Sequence, residues 1–273
     1  MQKQKMKLLI GNLIVLLVLG MLAGGIAYRM NQRHDSWDKL QEKNKVVVGI
    51  DDTFVPMAFR DKHGNLEGYD IELAKATFEK MGLEPDFQTI DWSMNQTELA
   101  TGHIDVIWNG YTINDQRKEK VAFSEPYHSD RLVLLTKAEA AITKPADMKG
   151  KTLAVQTGSA GAESLRKEPQ YLQTYLTKDV AQYDTYDKAI NDVKVGRVDA
   201  VLIDGDYANY YLAHEKLNQP LKTVKTEFPP DEYGVGFRKE DKTLRNKVNQ
   251  TLDELAQDGT KAKLSKKYFG RVD

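Results

Sequence analysis

Residues 98–110 read ELATGHIDVIWNG, and residues 191–205 read NDVKVGRVDAVLIDG. Each stretch runs from the end of a helical segment through Gly102 or Gly196, past two residues to Asp105 or Asp199, and on into an apolar strand with a polar end. A glycine supplies the left-handed conformation that stops a helix, and the aspartate starts the strand. The two aspartates stand 94 positions apart. Periodicity alone does not settle a repeat this short, but two matching units suggest two lobes of similar build rather than one sheet.

Outward from these units the chain keeps alternating. KVVVGI (45–50), DFQTI (86–90), IDVIW (104–108), RLVLLT (131–136), KTLAVQ (151–156) and VDAVLI (198–203) read as strands, with helical segments between most of them. DIELAKATFEKM (70–81) places Ile71, Ala74, Phe78 and Met81 at helical spacing, with Asp70 as its N-cap. RDKHGNLEGY (60–69) carries turn chemistry before that helix. The fold class is therefore α/β. Ligands of such sheets sit outside the carboxyl ends of the strands, which makes Asn109 to Arg117 in one unit and Asp204 in the other candidates for one crevice.

Arg117 is a planar fork of donors that matches a carboxylate, and Asp204 is an acceptor suited to an ammonium group. An α-amino acid carries both. Gly110 offers a carbonyl to the ammonium, Thr112 a hydroxyl and an N–H to the carboxylate, and the TGSAG turn (157–161) further N–H donors from a helix N-terminus. The plain alternatives are a surface ion pair of Arg117 with Asp115 or Glu119, and a helix N-cap at Asp204. These residues alone leave both open.

The composition excludes several classes. The 273 residues are 41% hydrophobic and 29% charged, enough for a substantial core or two. With 39 basic and 40 acidic residues the net charge is −1, so there is no basic field for nucleic acid. Cysteine is absent, which removes disulfides, thiolate nucleophiles and Cys-based zinc sites. The five histidines, His34, His63, His103, His128 and His214, lack metal-ligand spacing and read as surface or turn residues. No catalytic residue, metal site or cofactor is expected.

The N-terminus departs from that average. Lys3, Lys5 and Lys7 precede an uncharged run from Leu8 to Tyr28, long enough to cross a bilayer as a helix with its N-terminus in the cytoplasm. A buried core helix would show a polar face, and only Asn12 interrupts this one. Leu22 to Gly25 looks like a bacterial lipoprotein signal with Gly25 in place of the lipid-accepting cysteine. Residues 1–29 are accordingly read as a signal anchor or signal peptide, and the polar residues 30–44 as a stalk.

From about Lys45 to the end the chain resembles the polar amino-acid group of ABC-transporter substrate-binding proteins, solute-binding protein family 3, which includes glutamine-, histidine- and lysine/arginine/ornithine-binding members. The motifs are DDTFVPMAF (51–59), GYDIELA (68–74), GYTINDQRKEKVAFSEPY (110–127) and VDAVLID (198–204), then EYGVGFRKED (232–241) and DGTKAKLSKKYFG (258–270). Thr77 with Phe78, and Trp108 with Asn109, depart from the small residues usual in that family.

The resemblance implies a two-lobed, type II periplasmic-binding-protein clamp, each lobe a mixed sheet flanked by helices. Lobe 1 would comprise residues 45–130 and 228–273 and lobe 2 residues 131–227, with hinges near Tyr127–Arg131 and Glu227–Tyr233. Carried over by position, Arg117 and Thr112 take the α-carboxylate, helped by backbone donors near Ser159 and Ala160. Asp204 and the Gly110 carbonyl take the α-ammonium. Asp51 faces the far end of the ligand side chain, and Phe54 and Trp92 sandwich it. Asn109 belongs to the same lining.

The implied function is an extracytoplasmic, membrane-anchored monomer, or a periplasmic or secreted one if the signal is cut, that delivers a polar L-amino acid to an ABC permease and its ATPase. Asp51 with two aromatic faces favours arginine or lysine, while glutamine or cystine also fits. Trp108 reads equally as core. Gln156 and Tyr207 read either as pocket or as surface residues. Two other classes stay open, a ligand-sensing ectodomain and an enzyme resembling cyclohexadienyl dehydratase. The chain shows no Ser-His-Asp set or acid–base carboxylate pair for the latter.

Overall fold

The computed structural model describes residues 35–214 and 219–271. The expected N-terminal membrane or signal helix (1–29), and His34, lie outside the described residues. Among those described, no helix is long and apolar enough to cross a membrane.

Helix α1 (Trp37–Lys43) leads into β1 (Lys45–Ile50). A small antiparallel excursion follows, β2 (Thr53–Phe54), β3 (Ala58–Arg60) and β4 (Leu66–Glu67), and then α2 (Tyr69–Lys80), β5 (Glu84–Thr89), α3 (Asn95–Thr101) and β6 (Val106–Ile107). Next come α4 (Asp115–Lys118), β7 (Ala122–Phe123), β8 (His128–Asp130) and β9 (Leu132–Lys137). The middle of the chain holds β10 (Leu153–Gln156), α5 (Ala160–Lys167), β11 (Ala181–Tyr183), α6 (Tyr186–Val195), β12 (Ala200–Asp204), α7 (Gly205–His214) and β13 (Leu221–Lys225). It closes with β14 (Asp231–Tyr233), β15 (Gly236–Phe237), α8 (Lys242–Gln257) and α9 (Thr260–Phe269).

These strands form two five-stranded sheets of matching design, ordered β5-β1-β6-β15-β7 and β11-β10-β12-β9-β13. In each, the first three strands are parallel and the fourth pairs antiparallel to the third. The architecture is a two-lobed α/β periplasmic-binding-protein fold with mixed sheets. The repeat read in the sequence has a physical basis at its aspartates. Asp105 Oδ2 accepts from Val47 N–H (3.0 Å) and Asp105 N–H donates to Val47 O (2.8 Å). Asp199 does the same with Thr152, at 2.7 and 3.0 Å. Upstream, Gly102 and Gly196 take φ of 80° and 77° and end α3 and α6.

The chain passes between the sheets through β8 and β14, which pair antiparallel as Asp231 with Asp130 and Tyr233 with His128. After β14 it returns to the first sheet as β15, and α8 and α9 pack against α2. The core of the first lobe holds Trp108, edge-on to Phe78 at 5.7 Å and near Tyr127 at 5.8 Å, all fully buried. Burying an apolar side chain of this kind stabilises by about 2–3 kcal/mol. Of its two readings, core packing is the one observed.

Three expectations are corrected. Residues 37–43 of the expected stalk are a docked helix: Trp37 and Leu40 are buried, Ser36 N–H donates to Asp241 (2.8 Å), and Lys247 lies 4.6 Å over the Trp37 ring. The apolar pair Trp37 and Leu40, three apart in a short helix, gives it a face to bury. Asp70 is not the N-cap of α2, since its carboxylate is engaged instead by Gly110 N–H and Tyr127 OH; the cap position is Gly68, where a Cβ would lie 2.1 Å from Met57 O. His128 is a buried residue, 2.8 Å from Asp206 and stacked on Phe269, whereas His63, His103 and His214 are exposed.

Candidate ligand-binding site

Arg117 sits in α4, whose N-cap Asn114 accepts from the Arg117 N–H at 2.9 Å. That short turn aims the guanidinium inward, and only 1% of Arg117 is exposed. It lies 4.5 Å over the Tyr111 ring, a geometry in which the π face favours the cation. Its NH1 donates to Thr112 O (3.1 Å) and its NH2 to Gly158 O (3.1 Å), so it joins the first lobe to the second. Nε is 3.0 Å from Glu163 Oε2, close enough for ion pairing, yet without hydrogen-bond geometry. The surface pairing with Asp115 or Glu119 is not what forms; Asp115 pairs with Lys167.

Asp204 ends β12 and is 5% exposed. Its carboxylate does not cap α7. It accepts from Tyr233 OH at 2.6 Å and Tyr186 OH at 3.0 Å. Burial pushes the Asp204 carboxyl up, against the pull of those two hydroxyls. Tyr233 also donates to Asp130 (3.2 Å), whose pKa is raised to about 7 by burial and by the nearby Asp206 and Asp204. Asp231 is likewise raised to about 7, by burial and then by Asp204, with Arg117 opposing.

The segment from Asn109 to Thr112 approaches Asp204 through Tyr233. Thr112 forms a bridge with Tyr233, and Gly234 N–H donates to Tyr111 O at 3.0 Å. Gly110 has φ of 54°, and a Cβ there would lie 2.8 Å from Phe54 Cε1, so any other residue is strained at this position. Its N–H is held by Asp70 Oδ2 at 2.6 Å, which also accepts from Tyr127 OH at 2.9 Å. Burial raises Asp70 to about 7 against those donors. Asn109 is buried, and neither its Oδ1 nor its Nδ2 has a hydrogen-bond partner among the described residues.

From the second lobe, Ser159 caps α5 by accepting from Ala162 N–H at 3.1 Å. Ala160 begins that helix, where first-turn N–H groups have no intrahelical acceptor. Gly158 takes φ of 74°, and a Cβ there would lie 3.0 Å from Ser93 Cα, so this turn abuts the segment that holds Trp92.

At the other end, Asp51 is 7% exposed and accepts from Thr53 N–H (3.0 Å), Thr53 Oγ1 (2.6 Å) and Gln156 Nε2 (2.8 Å). Burial raises its pKa against those bonds. Phe54 packs on Tyr186 (5.9 Å) and Tyr207 (5.5 Å), whereas Trp92 packs edge-on to Tyr111 (5.8 Å). The two rings thus rest on different partners. Gln156 and Tyr207 are each 1% exposed, and Tyr207 OH donates to Thr53 O (3.3 Å) and Asp187 (2.9 Å). Thr53 and Asp187 also line a cleft of about 740 Å³ with Phe59, Arg60, Tyr210 and Tyr211.

Sequence reasoning passed over Tyr186, Tyr233 and Asp231. Tyr186 opens a helix outside every motif, and Tyr233, though inside EYGVGFRKED and at the expected hinge, carries no local sign of a role at Asp204. Only the folded arrangement brings their hydroxyls to Asp204.

Residues 46–271 match the family described as bacterial extracellular solute-binding proteins, family 3. The L-cystine-binding protein TcyJ of Escherichia coli (strain K12) is 33% identical over 264 residues, covering 96% of this chain and 94% of that protein. A solved ABC uptake transporter substrate binding protein from Streptococcus pneumoniae with bound histidine shares 42% identity and a TM-score of 0.85, over 87% of this chain and 97% of that one. An ancestral arginine-binding protein bound to arginine gives 34% identity and a TM-score of 0.77, over 83% and 98%. The chain belongs to the bacterial extracellular solute-binding proteins, family 3.

Proposed function

We propose that the protein is the extracytoplasmic substrate-binding component of an amino-acid ABC importer, taking a polar L-amino acid between its lobes and handing it to a membrane permease. The observation that carries this reading is a set of buried polar atoms with no hydrogen-bond partner among the described residues, Thr112 Oγ1, Arg117 Nε and Asp231 Oδ2; Thr112 bridges to Tyr233, whose hydroxyl donates to Asp204, and Asp231 lies two residues before that tyrosine. Leaving such atoms unpaired costs about 1–3 kcal/mol each, a cost that a ligand with matching groups removes. Arg117 with Thr112 and the first turn of α5 suits a carboxylate; Asp204 with the Gly110 carbonyl suits an ammonium. Names among the relatives, for cystine, histidine and arginine, support the same class.

Binding would close the lobes by bending at β8 and β14, and no bond is broken. Asp51, Gln156, Phe54 and Tyr207 would meet the ligand side chain, and a carboxylate together with aromatic faces favours arginine or lysine over acidic side chains. The expected N-terminal segment would hold the monomer at the membrane near its permease, whose ATPase it serves indirectly. A thermal-shift screen across the twenty amino acids and cystine tests the reading, since a ligand of the folded clamp raises its melting temperature by mass action. A shift with a basic amino acid, glutamine, histidine or cystine is expected; no shift with any of them contradicts it.

A further inference from the structure

Asp231 Oδ2 is one of the unpaired atoms named above but is matched there to no group of the ligand, and its place in β14 points to one. Side chains two apart on a strand share a face, and Tyr233, two residues on, points its hydroxyl at Asp204. Asp231 is half-buried, and its Oδ2 is shielded from solvent with no hydrogen-bond partner among the described residues. The charged groups acting on it are Asp204 of β12, Arg117 of α4, Glu163 of α5 and Glu168 just beyond that helix. Asp130 is its pairing partner on β8. Of these, Arg117 is positive and the rest are acidic. Thr112 Oγ1 and Arg117 Nε, on residues 2% and 1% exposed, also lack hydrogen-bond partners among the described residues.

We propose that Asp231 is a second carboxylate for the ligand's α-ammonium, acting beside Asp204 and making a free ammonium group a requirement for binding. The inference deepens the amino-acid reading and rests on it. A positive group placed between two carboxylates neutralises a repulsion that burial would otherwise intensify. It also favours the ionised form of Asp231, so binding expels a proton. With its carboxyl at about 7 in the protein, binding at neutral pH releases up to about half a proton. Affinity then climbs as pH rises towards 7 and levels off above it.

The test is titration calorimetry at pH 6, 7 and 8 in buffers of differing ionisation enthalpy. The probe is whichever of L-arginine, L-histidine, L-glutamine and L-cystine the wild type binds most tightly, with its N-acetyl derivative as control. Wild type should release protons and refuse the N-acetyl compound. Asp231→Asn should bind about tenfold more weakly and release fewer protons, and Asp231→Glu should retain the release. Asp130 also titrates near neutrality, so the contrast between variant and wild type, and not the wild-type release alone, identifies Asp231. Should Asp231→Asn fail to fold, absence of proton release from the wild type overturns the inference by itself. Wild-type affinity and release in a folded Asp231→Asn protein overturn it while the amino-acid reading stands. If the wild type binds no amino acid, that reading falls and takes this inference with it.

Discussion

Gln156 Nε2 lies 2.8 Å from Asp51 Oδ2, so the end of β10 in one sheet is tied to the residue that follows β1 in the other. The same amide donates to Asp184 O at 3.0 Å, which fixes its orientation. A ligand side chain reaching this end meets a carboxylate already holding three donors. Asp51→Asn should therefore weaken L-arginine and L-lysine binding about tenfold, with less effect on glutamine. Calorimetry on the three ligands checks this; equal losses on all would remove Asp51 from side-chain recognition.

Tyr233 serves two buried carboxylates, Asp204 at 2.6 Å and Asp130 at 3.2 Å. Tyr233→Phe deletes a donor that both use while keeping the ring. The expected cost is about 1–3 kcal/mol of folding stability, read from the urea midpoint, together with weaker amino-acid binding. An unchanged midpoint would mean that the carboxylates find other donors.

Asp70 gives a pH signature. Its carboxyl is raised from 3.8 to about 7 by burial, so the native state holds a proton that the unfolded chain has released between those values. Stability from this group is present at low pH and is lost as pH rises towards 7. Asp70→Asn has no such proton. Relative to it, the wild type should lose about 2–3 kcal/mol between pH 5 and pH 8. Parallel pH profiles for the two proteins would show that Asp70 is not buried as described.

Gly110 couples backbone conformation to the site. At φ of 54°, with Phe54 2.8 Å from a would-be Cβ, Gly110→Ala should cost about 1–2 kcal/mol in backbone strain alone and displace Phe54. A lower melting temperature with impaired binding is expected; a variant as stable as wild type would contradict the left-handed conformation.

The two-lobed build was legible because each lobe repeats one local device, a glycine stop and an aspartate that pins the neighbouring strand. Local rules carry such devices intact. Arg117, in the segment that follows one strand, and Asp204, at the end of another, were legible as complementary charges, but their surroundings were not. Tyr186 and Tyr233 reach Asp204 from distant segments, and no spacing encodes that meeting. Asp70 and His128 were misread for a related reason. Each has an ordinary local use, N-cap or turn, that tertiary partners override: Gly110 and Tyr127 for the first, Asp206 and Phe269 for the second. Trp37 looked like part of a polar stalk because its docking face, on α8, lies some 200 positions away.

The central claim is that Arg117, buried between the lobes and ion-paired within the protein to Glu163, is the anchor for an amino-acid carboxylate. Calorimetry of the wild type and of Arg117→Ala against the same amino-acid panel tests it most directly. Binding of at least one polar L-amino acid by the wild type, lost for every ligand in a folded Arg117→Ala protein, is the predicted result. Retention of wild-type affinity in that variant would contradict the account.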